Sequence, residues 1–194
     1  MIARFRDRFW IRAGVFGLAG AFVFVAVPLT FGQPEDGGRI RRSNEVVLDV
    51  VFSPGGGCQD RISDEIGNAT ESVRIQAFYY TSKPITDALI KARKRGVDVT
   101  VVLDKSQESQ TYGKWRLLAR AGIPIYFDAK HATANNKIVL IDDHTIITGS
   151  YNFTKSAEEE NAENVLIIKH AVEIFRKYEK NFSQHLKHSK KYGG

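Results

Sequence analysis

The chain has 194 residues, 43% of them hydrophobic and 26% charged, which is enough apolar content for one conventional core and a terminal extension. Its net charge of +6 is not a nucleic-acid signature, because residues 1–44 hold seven Arg against Asp7, Glu35 and Asp36 and the remainder is close to neutral. The single cysteine, Cys58, excludes an intrachain disulfide, and no Cys/His spacing has the form of a zinc site.

Arg4, Arg6, Arg8 and Arg12 precede Ala13–Phe31, an uncharged run of nineteen residues. A positive flank before a stretch near the lower limit for crossing a bilayer predicts a membrane-directed segment over residues 1–32. Its exit, Val25-Ala26-Val27-Pro28, has no small-x-small cleavage pattern, so an uncleaved anchor is the first reading and a signal peptide the second. Either leaves the arginines in the cytosol and places the rest of the chain outside it, periplasmic or secreted, and the anchor reading has residues 13–31 tie it to the inner membrane. Residues 33–44, with Pro34, Gly37, Gly38, Arg41 and Arg42, read as a polar linker. The folded domain is expected over 45–189, with a short tail at 190–194.

Within that domain, strand-like and helix-like segments alternate. Val46–Phe52 is apolar and β-branched, and Ser53-Pro54-Gly55-Gly56-Gly57 breaks it. Gln59–Ala69 is helical, with Ile62 and Ile66 four apart, and Ser72–Thr81 is a strand. Lys83–Arg95 is a helix with Ile85, Leu89 and Ala92 on one face. Val97–Asp104 is a strand whose centre, Val101-Val102-Leu103, predicts burial on both faces. A helix over Tyr112–Ala121 ends at Gly122, and Ile123–Phe127 is a short strand. Strands at Lys137–Asp142, Thr145–Phe153 and Glu163–Lys169 follow, then a helix from about Ala171 to His188. This order predicts an α/β fold, a mixed sheet flanked by helices.

The stretch from Asn135 to Asn152 concentrates the chemistry. Two strands flank Asp143-His144, which predicts a two-residue hairpin in which Lys137 faces Ser150 and Asn135 faces Asn152. Strand alternation then puts all four side chains on one face. Hydroxyl and amide donors beside an ammonium are what a tetrahedral phosphate requires. Asp142 has the opposite parity, which assigns it a structural role. His131 reads as an exposed loop residue, His144 as a turn residue, and His170, His185 and His188 as surface. The cluster Lys91, Arg93, Lys94 and Arg95 reads first as the solvated end of a helix.

Lys137-x4-Asp142-x6-Gly149-Ser150-x-Asn152 resembles the His-x-Lys-x4-Asp-x6-Gly-Ser-x-Asn motif of the phospholipase D superfamily, in its short, single-motif bacterial form resembling non-specific endonucleases. Ser53–Gly57, Ala92–Asp104, Asn152–Glu158 and Glu163-Asn164 extend the likeness over nearly all of 46–189. The resemblance implies a mixed sheet between helices and a metal-free, cofactor-free phosphodiesterase that works through a phosphohistidine. It assigns Lys137, Ser150 and Asn152 to the substrate phosphate, Asp142 to the motif's acidic position, and Glu163 to orienting a histidine across a dimer interface. The nucleophile position holds Asn135, whose amide cannot form the phosphohistidine. That residue is either a substitution that silences the enzyme or the mark of a naturally inactive member.

One motif per chain implies a homodimer with the active site on its two-fold axis, since two histidines serve as nucleophile and general acid. Single-stranded DNA or RNA is the expected substrate. The local lysines and arginines, the Lys187–Lys191 tail and the aromatic run Phe78, Tyr79 and Tyr80 motivate it. Phospholipid is the alternative, made credible by the N-terminal segment, and a non-catalytic phosphate-binding module is the second.

Overall fold

The computed structural model describes residues 45–193, so the expected anchor and linker lie outside the described residues. Among those described, no helix is long and apolar enough to cross a membrane. The elements in chain order are β1 (Val47–Ser53), α1 (Cys58–Gly67), β2 (Ser72–Ala77), α2 (Lys83–Lys94), β3 (Asp98–Asp104), α3 (Trp115–Arg120) and β4 (Ile125–Asp128). They continue with β5 (Lys137–Ile141), β6 (Thr145–Gly149), α4 (Lys155–Glu159), β7 (Glu163–Lys169), α5 (Val172–His188) and β8 (Lys190–Lys191).

All the strands join one sheet in the order β1-β7-β6-β5-β2-β3-β4-β8. β2, β3 and β4 run parallel, linked through α2 and α3, and every other pair is antiparallel. The expected mixed sheet flanked by helices is therefore the observed one. On one face, Ile62 and Ile66 of α1, Leu89 of α2 and Leu118 of α3 pack on Val73, Ile75, Val101, Val139 and Ile147. On the other, Phe175 and Phe182 of α5 cover Val102, Leu140, Ile146 and Ile168. Each buried Phe contributes about 1.5–3 kcal/mol. Val101 and Val102 point into different cores, which is why the centre of β3 is a continuous apolar run.

Four local differences from the sequence expectation bear on the site. The helix expected from Tyr112 starts only at Trp115, whose Nε1 donates to the Gln107 carbonyl (2.8 Å) and ties the preceding turns to the core. The strand expected to reach Phe153 stops at Gly149. The expected tail supplies β8, which pairs Lys190 with Phe127 and Lys191 with Tyr126. The β5–β6 hairpin has three loop residues, not two, with Ile141 opposite Thr145. Asp142 and Asp143 both adopt positive φ (48° and 58°), and the Asp142 carboxylate is captured by the chain before β2, so the strand ends one residue early.

That shift corrects the argument for convergence. Val139 now faces Ile147 and Ile138 faces Thr148, so strand alternation does not put Lys137 and Ser150 on one face. Their grouping comes from the chain leaving β6 at Gly149.

Candidate active site

The carboxyl ends of β2, β3 and β4 lie at the same edge of the sheet as the start of β5, the end of β6 and the start of β7. Five of the predicted site residues gather there. Asn135 is exposed in the loop before β5, and Ala134, just ahead of it, donates its amide to the buried Asp104 carboxylate (2.7 Å). Lys137 opens β5. Its Nζ donates to the Asn135 carbonyl (2.9 Å), contacts the Asn135 side-chain oxygen, and lies 5.5 Å from the centre of the Phe78 ring. Partial burial lowers the Lys137 pKa, and the negative charge of Glu163 opposes that shift.

At Gly149 the chain takes φ 152°, and a Cβ there would lie 2.2 Å from the Asn164 carbonyl oxygen. Only glycine permits that approach. It lets Ser150 turn onto β7, where its Oγ accepts from the Asn164 amide (3.1 Å) and from Asn164 Nδ2 (3.3 Å). The segment then crosses towards the end of β2, where the Phe153 carbonyl accepts from the amides of Thr81 and Ser82 (2.8 Å each). Asn152 rides on this crossing and lines an open cleft with Tyr79, Thr81 and Thr154. Its side-chain Oδ1 is buried with no hydrogen-bond partner among the described residues. A buried acceptor left unpaired at a cleft wall is free to meet a donor from a ligand, and the Nδ2 of the same amide is the atom that could donate to a phosphate oxygen. Glu163, at the start of β7, accepts from Asn161 Nδ2 (3.1 Å).

Asp142 belongs elsewhere. It follows β5 at the hairpin tip, roughly 16 Å from Lys137 at about 3.3 Å per residue. Oδ2 accepts from Thr70 N (2.7 Å) and Thr70 Oγ1 (2.9 Å), and Oδ1 from Glu71 N and Ser72 N (2.8 Å each). Burial alone would raise its pKa, but these donors hold the carboxyl below the usual carboxylate range. The structure thus places Asp142, grouped by the resemblance with the motif's catalytic positions, at the hairpin tip away from Lys137, in keeping with the structural role read from its parity.

The PLD-like domain family of cardiolipin synthase type matches residues 62–186 of this chain. The chain belongs to the phospholipase D superfamily. Phospholipase D of Rickettsia bellii is 41% identical over 124 residues, spanning 64% of this chain and 62% of the relative. A mitochondrial cardiolipin hydrolase of Chlamydomonas reinhardtii is 30% identical over 108 residues, 56% of this chain and 48% of the relative. The chain thus spans about three-fifths of the Rickettsia relative's length and about half of the algal one's. The fold agrees with that of Nuc from Salmonella typhimurium, a phospholipase D family member, at TM-score 0.74 and 30% identity, covering 77% of this chain and 100% of Nuc.

Within this phospholipase D domain, the basic cluster keeps its first reading as a helix end, the aromatic run divides between core and cleft, and the surface reading of three histidines is corrected. Lys91, Arg93, Lys94 and Arg95 sit at the end of α2, which runs back from the motif edge to the opposite one, and Arg95 is spent on the carbonyls of Ile66 and Ala69. They do not line the approach to the motif. Of the aromatic run, Tyr80 is wholly buried and bonded to Thr86, whereas Phe78 lies beneath Lys137 and Tyr79 opens onto the cleft. His131, His185 and His188 are not independent surface residues: all three approach the buried Asp128. His144 is a turn residue as expected, stacked on His170 at 5.3 Å.

Two contributors carry no role in the sequence reading. Asn164 fixes Ser150, and its place in the Glu163-Asn164 pair was the only available signal. Glu158 receives Tyr151 Oη (3.0 Å) and the Gln59 amide (2.8 Å), which braces the crossing segment against α1.

Proposed function

We propose that this domain is one subunit of a phosphodiesterase homodimer that cleaves nucleic-acid strands, and that Asn135 leaves the present chain able to bind the phosphate but not to turn it over. What supports this reading is the motif edge itself, at which Asn135, Lys137, Ser150 and Asn152 all lie, with Lys137 Nζ bonded to Asn135. With Asn135→His, the imidazole would attack phosphorus and form an N–P bond as the P–O bond to the leaving group breaks. The equivalent histidine of the second subunit would protonate the departing oxygen, and water would then hydrolyse the phosphohistidine. Lys137, Ser150 and Asn152 would stabilise the equatorial oxygens throughout.

A nucleic-acid substrate is favoured by the exposed lysines of the motif edge, Lys105, Lys130 and Lys155, and by Tyr79 at the cleft mouth. A phospholipid reading is favoured by β1, whose Leu48, Val50 and Phe52 are exposed (65, 49 and 61%) and lead to the same edge, and by the relatives' names. In either case residues 1–32 would hold the domain on the outer side of the inner membrane.

The test compares the present chain with Asn135→His on single-stranded DNA, its duplex, RNA and cardiolipin vesicles. Turnover should rise by several orders of magnitude on single strands. Equal rates for the two proteins would refute the nucleophile assignment, and vesicle hydrolysis without oligonucleotide cleavage would transfer the assignment to phospholipid. Mixing the two proteins should yield heterodimers with impaired turnover. A monomer that remains fully active would remove the two-fold site.

A further inference from the structure

A second constellation lies at the same edge of the sheet, beyond β2 and β3, and the phosphodiesterase reading does not use it. Asp128 ends β4 with its side chain fully buried, and no lysine or arginine pairs with it among the described residues. Its carboxylate meets three histidines: His185 Nδ1 at 2.6 Å, His131 Nδ1 at 3.1 Å and His188 Nε2 at 3.2 Å. One nitrogen or oxygen from each of the four residues lies within 4.8 Å of the others. His185 and His188, three apart on α5, present adjacent side chains. Asp128 and His131 are likewise three apart, on the turn that leaves β4.

Hydrogen bonding alone does not account for this arrangement. His188 Nε2 is buried and, despite its 3.2 Å approach to Asp128, makes no hydrogen bond of acceptable geometry. The three imidazole rings crowd to centroid distances of 4.8–5.2 Å. A buried carboxylate surrounded by imidazole nitrogens, one of them without a partner, is the donor set of a transition-metal site. In a tetrahedral zinc site, bonds of about 2.0–2.1 Å place ligand atoms roughly 3.3 Å apart, close to the 3.1 and 3.2 Å at which His131 and His188 already approach Asp128, while His185, at 2.6 Å, would draw back slightly to admit the ion. Four protein ligands leave no open position, which marks a structural rather than a catalytic centre. Oxygen-seeking magnesium and calcium suit the imidazole-rich set poorly.

We propose that Asp128, His131, His185 and His188 form a structural site for a divalent transition metal of the zinc class, clasping the end of α5 to the loop that carries Asn135. The loop over residues 129–136 is then held at both ends, by the metal through His131 and by Asp104 through the Ala134 amide. Lys105 adds a third hold, donating to the His131 carbonyl at 3.0 Å.

The test uses the full-length chain with Asn135 unchanged, so the outcome does not depend on turnover. After chelation and dialysis, the protein is titrated with Zn²⁺ against a chromophoric chelator, and with Co²⁺ followed by visible absorption. One Zn²⁺ per chain and the intense d–d bands of tetrahedral Co²⁺ are expected. At about a hundredfold excess over Kd, the melting temperature should rise by about 5–10 °C. Mg²⁺ and Ca²⁺ should give no shift.

His131→Ala and His188→Ala, which truncate partly exposed side chains, should each weaken Zn²⁺ binding at least tenfold and abolish the tetrahedral spectrum. Their metal-free melting temperatures should stay near that of the parent, which shows that they fold. His170→Ala, in the separate stacked pair, should bind as the parent does. Zn²⁺ binding far below one per chain, or binding equally strong in His131→Ala and His188→Ala, would overturn the proposal.

Discussion

Replacing Asp142 with Ala separates the two roles open to this motif residue. The carboxylate accepts four hydrogen bonds from Thr70, Glu71 and Ser72, and these join the β5–β6 hairpin to the turn before β2. Hydrogen bonds to a charged group contribute about 1.5–3 kcal/mol each when buried. Here the donors lie at a partly exposed tip where water can replace the lost acceptor, so the net loss should be about 2–4 kcal/mol. For a domain of this size that lowers the melting temperature by roughly 4–16 °C. Asp142→Asn keeps one carbonyl acceptor and should recover part of the loss. In the Asn135→His background, turnover at 25 °C should stay within about twofold, because Asp142 is far from Lys137.

The same substitution has a pH signature. Asp142 has a depressed folded-state pKa against an unfolded value of about 3.9. Its stabilisation is therefore complete above that value and is lost as pH falls through the folded pKa. The gap in melting temperature between the parent and Asp142→Ala should be constant near neutrality and close below about pH 4. A hundredfold loss of turnover with unchanged melting temperature would refute the structural assignment.

Gly149→Ala should reduce turnover of the Asn135→His protein by at least about a hundredfold, because displacing the Asn164 carbonyl also displaces Ser150; normal kinetics would contradict that. Charge reversal at Lys91, Arg93 and Lys94 should leave oligonucleotide binding and its salt dependence unchanged. Reversal at Lys130 and Lys155 should weaken binding and lower the salt slope by about one per lost phosphate contact; the opposite pattern in anisotropy titrations would return the substrate path to α2. Asn135→His should keep its turnover in EDTA, assayed well below its melting temperature, since the proposed mechanism assigns the phosphate to Lys137, Ser150 and Asn152 and not to a metal. Loss of activity rescued by Mg²⁺ would replace the phosphohistidine route with a metal-activated one.

The layer architecture was legible because burial leaves a period. Ile85, Leu89 and Ala92 recur at helical spacing on α2, and the Val101–Leu103 run of β3 has cores on both sides. The site residues were legible as identities at fixed spacings, but the geometry inferred for them was not the one found. A two-residue hairpin was the natural reading of Asp143-His144. What overrode it was a contact some seventy residues away in sequence, between Asp142 and the Thr70–Ser72 amides, which no local propensity encodes. The basic cluster's first reading, the solvated end of a helix, holds, and its use as a substrate path could have been excluded from topology. A helix joining two parallel strands must return to the edge from which the next strand starts, so the end of α2 lies opposite the carboxyl ends of β2 and β3.

The histidine cluster shows where spacing stops carrying information. Asp128-x2-His131 and His185-x2-His188 lie more than fifty residues apart, and neither half alone has a recognisable metal-ligand pattern. They meet because β7 delivers the chain to the far edge and α5 then runs its length back across the sheet, anchored by Phe175 and Phe182, to end over β4. The segment expected as a tail completes the placement, since β8 pairs with β4 immediately after His188 and fixes how far along β4 the helix can end. The position of His185 and His188 relative to Asp128 is thus set by the apolar stripe of a helix and by a two-residue strand. The loop that carries position 135 inherits its position from both.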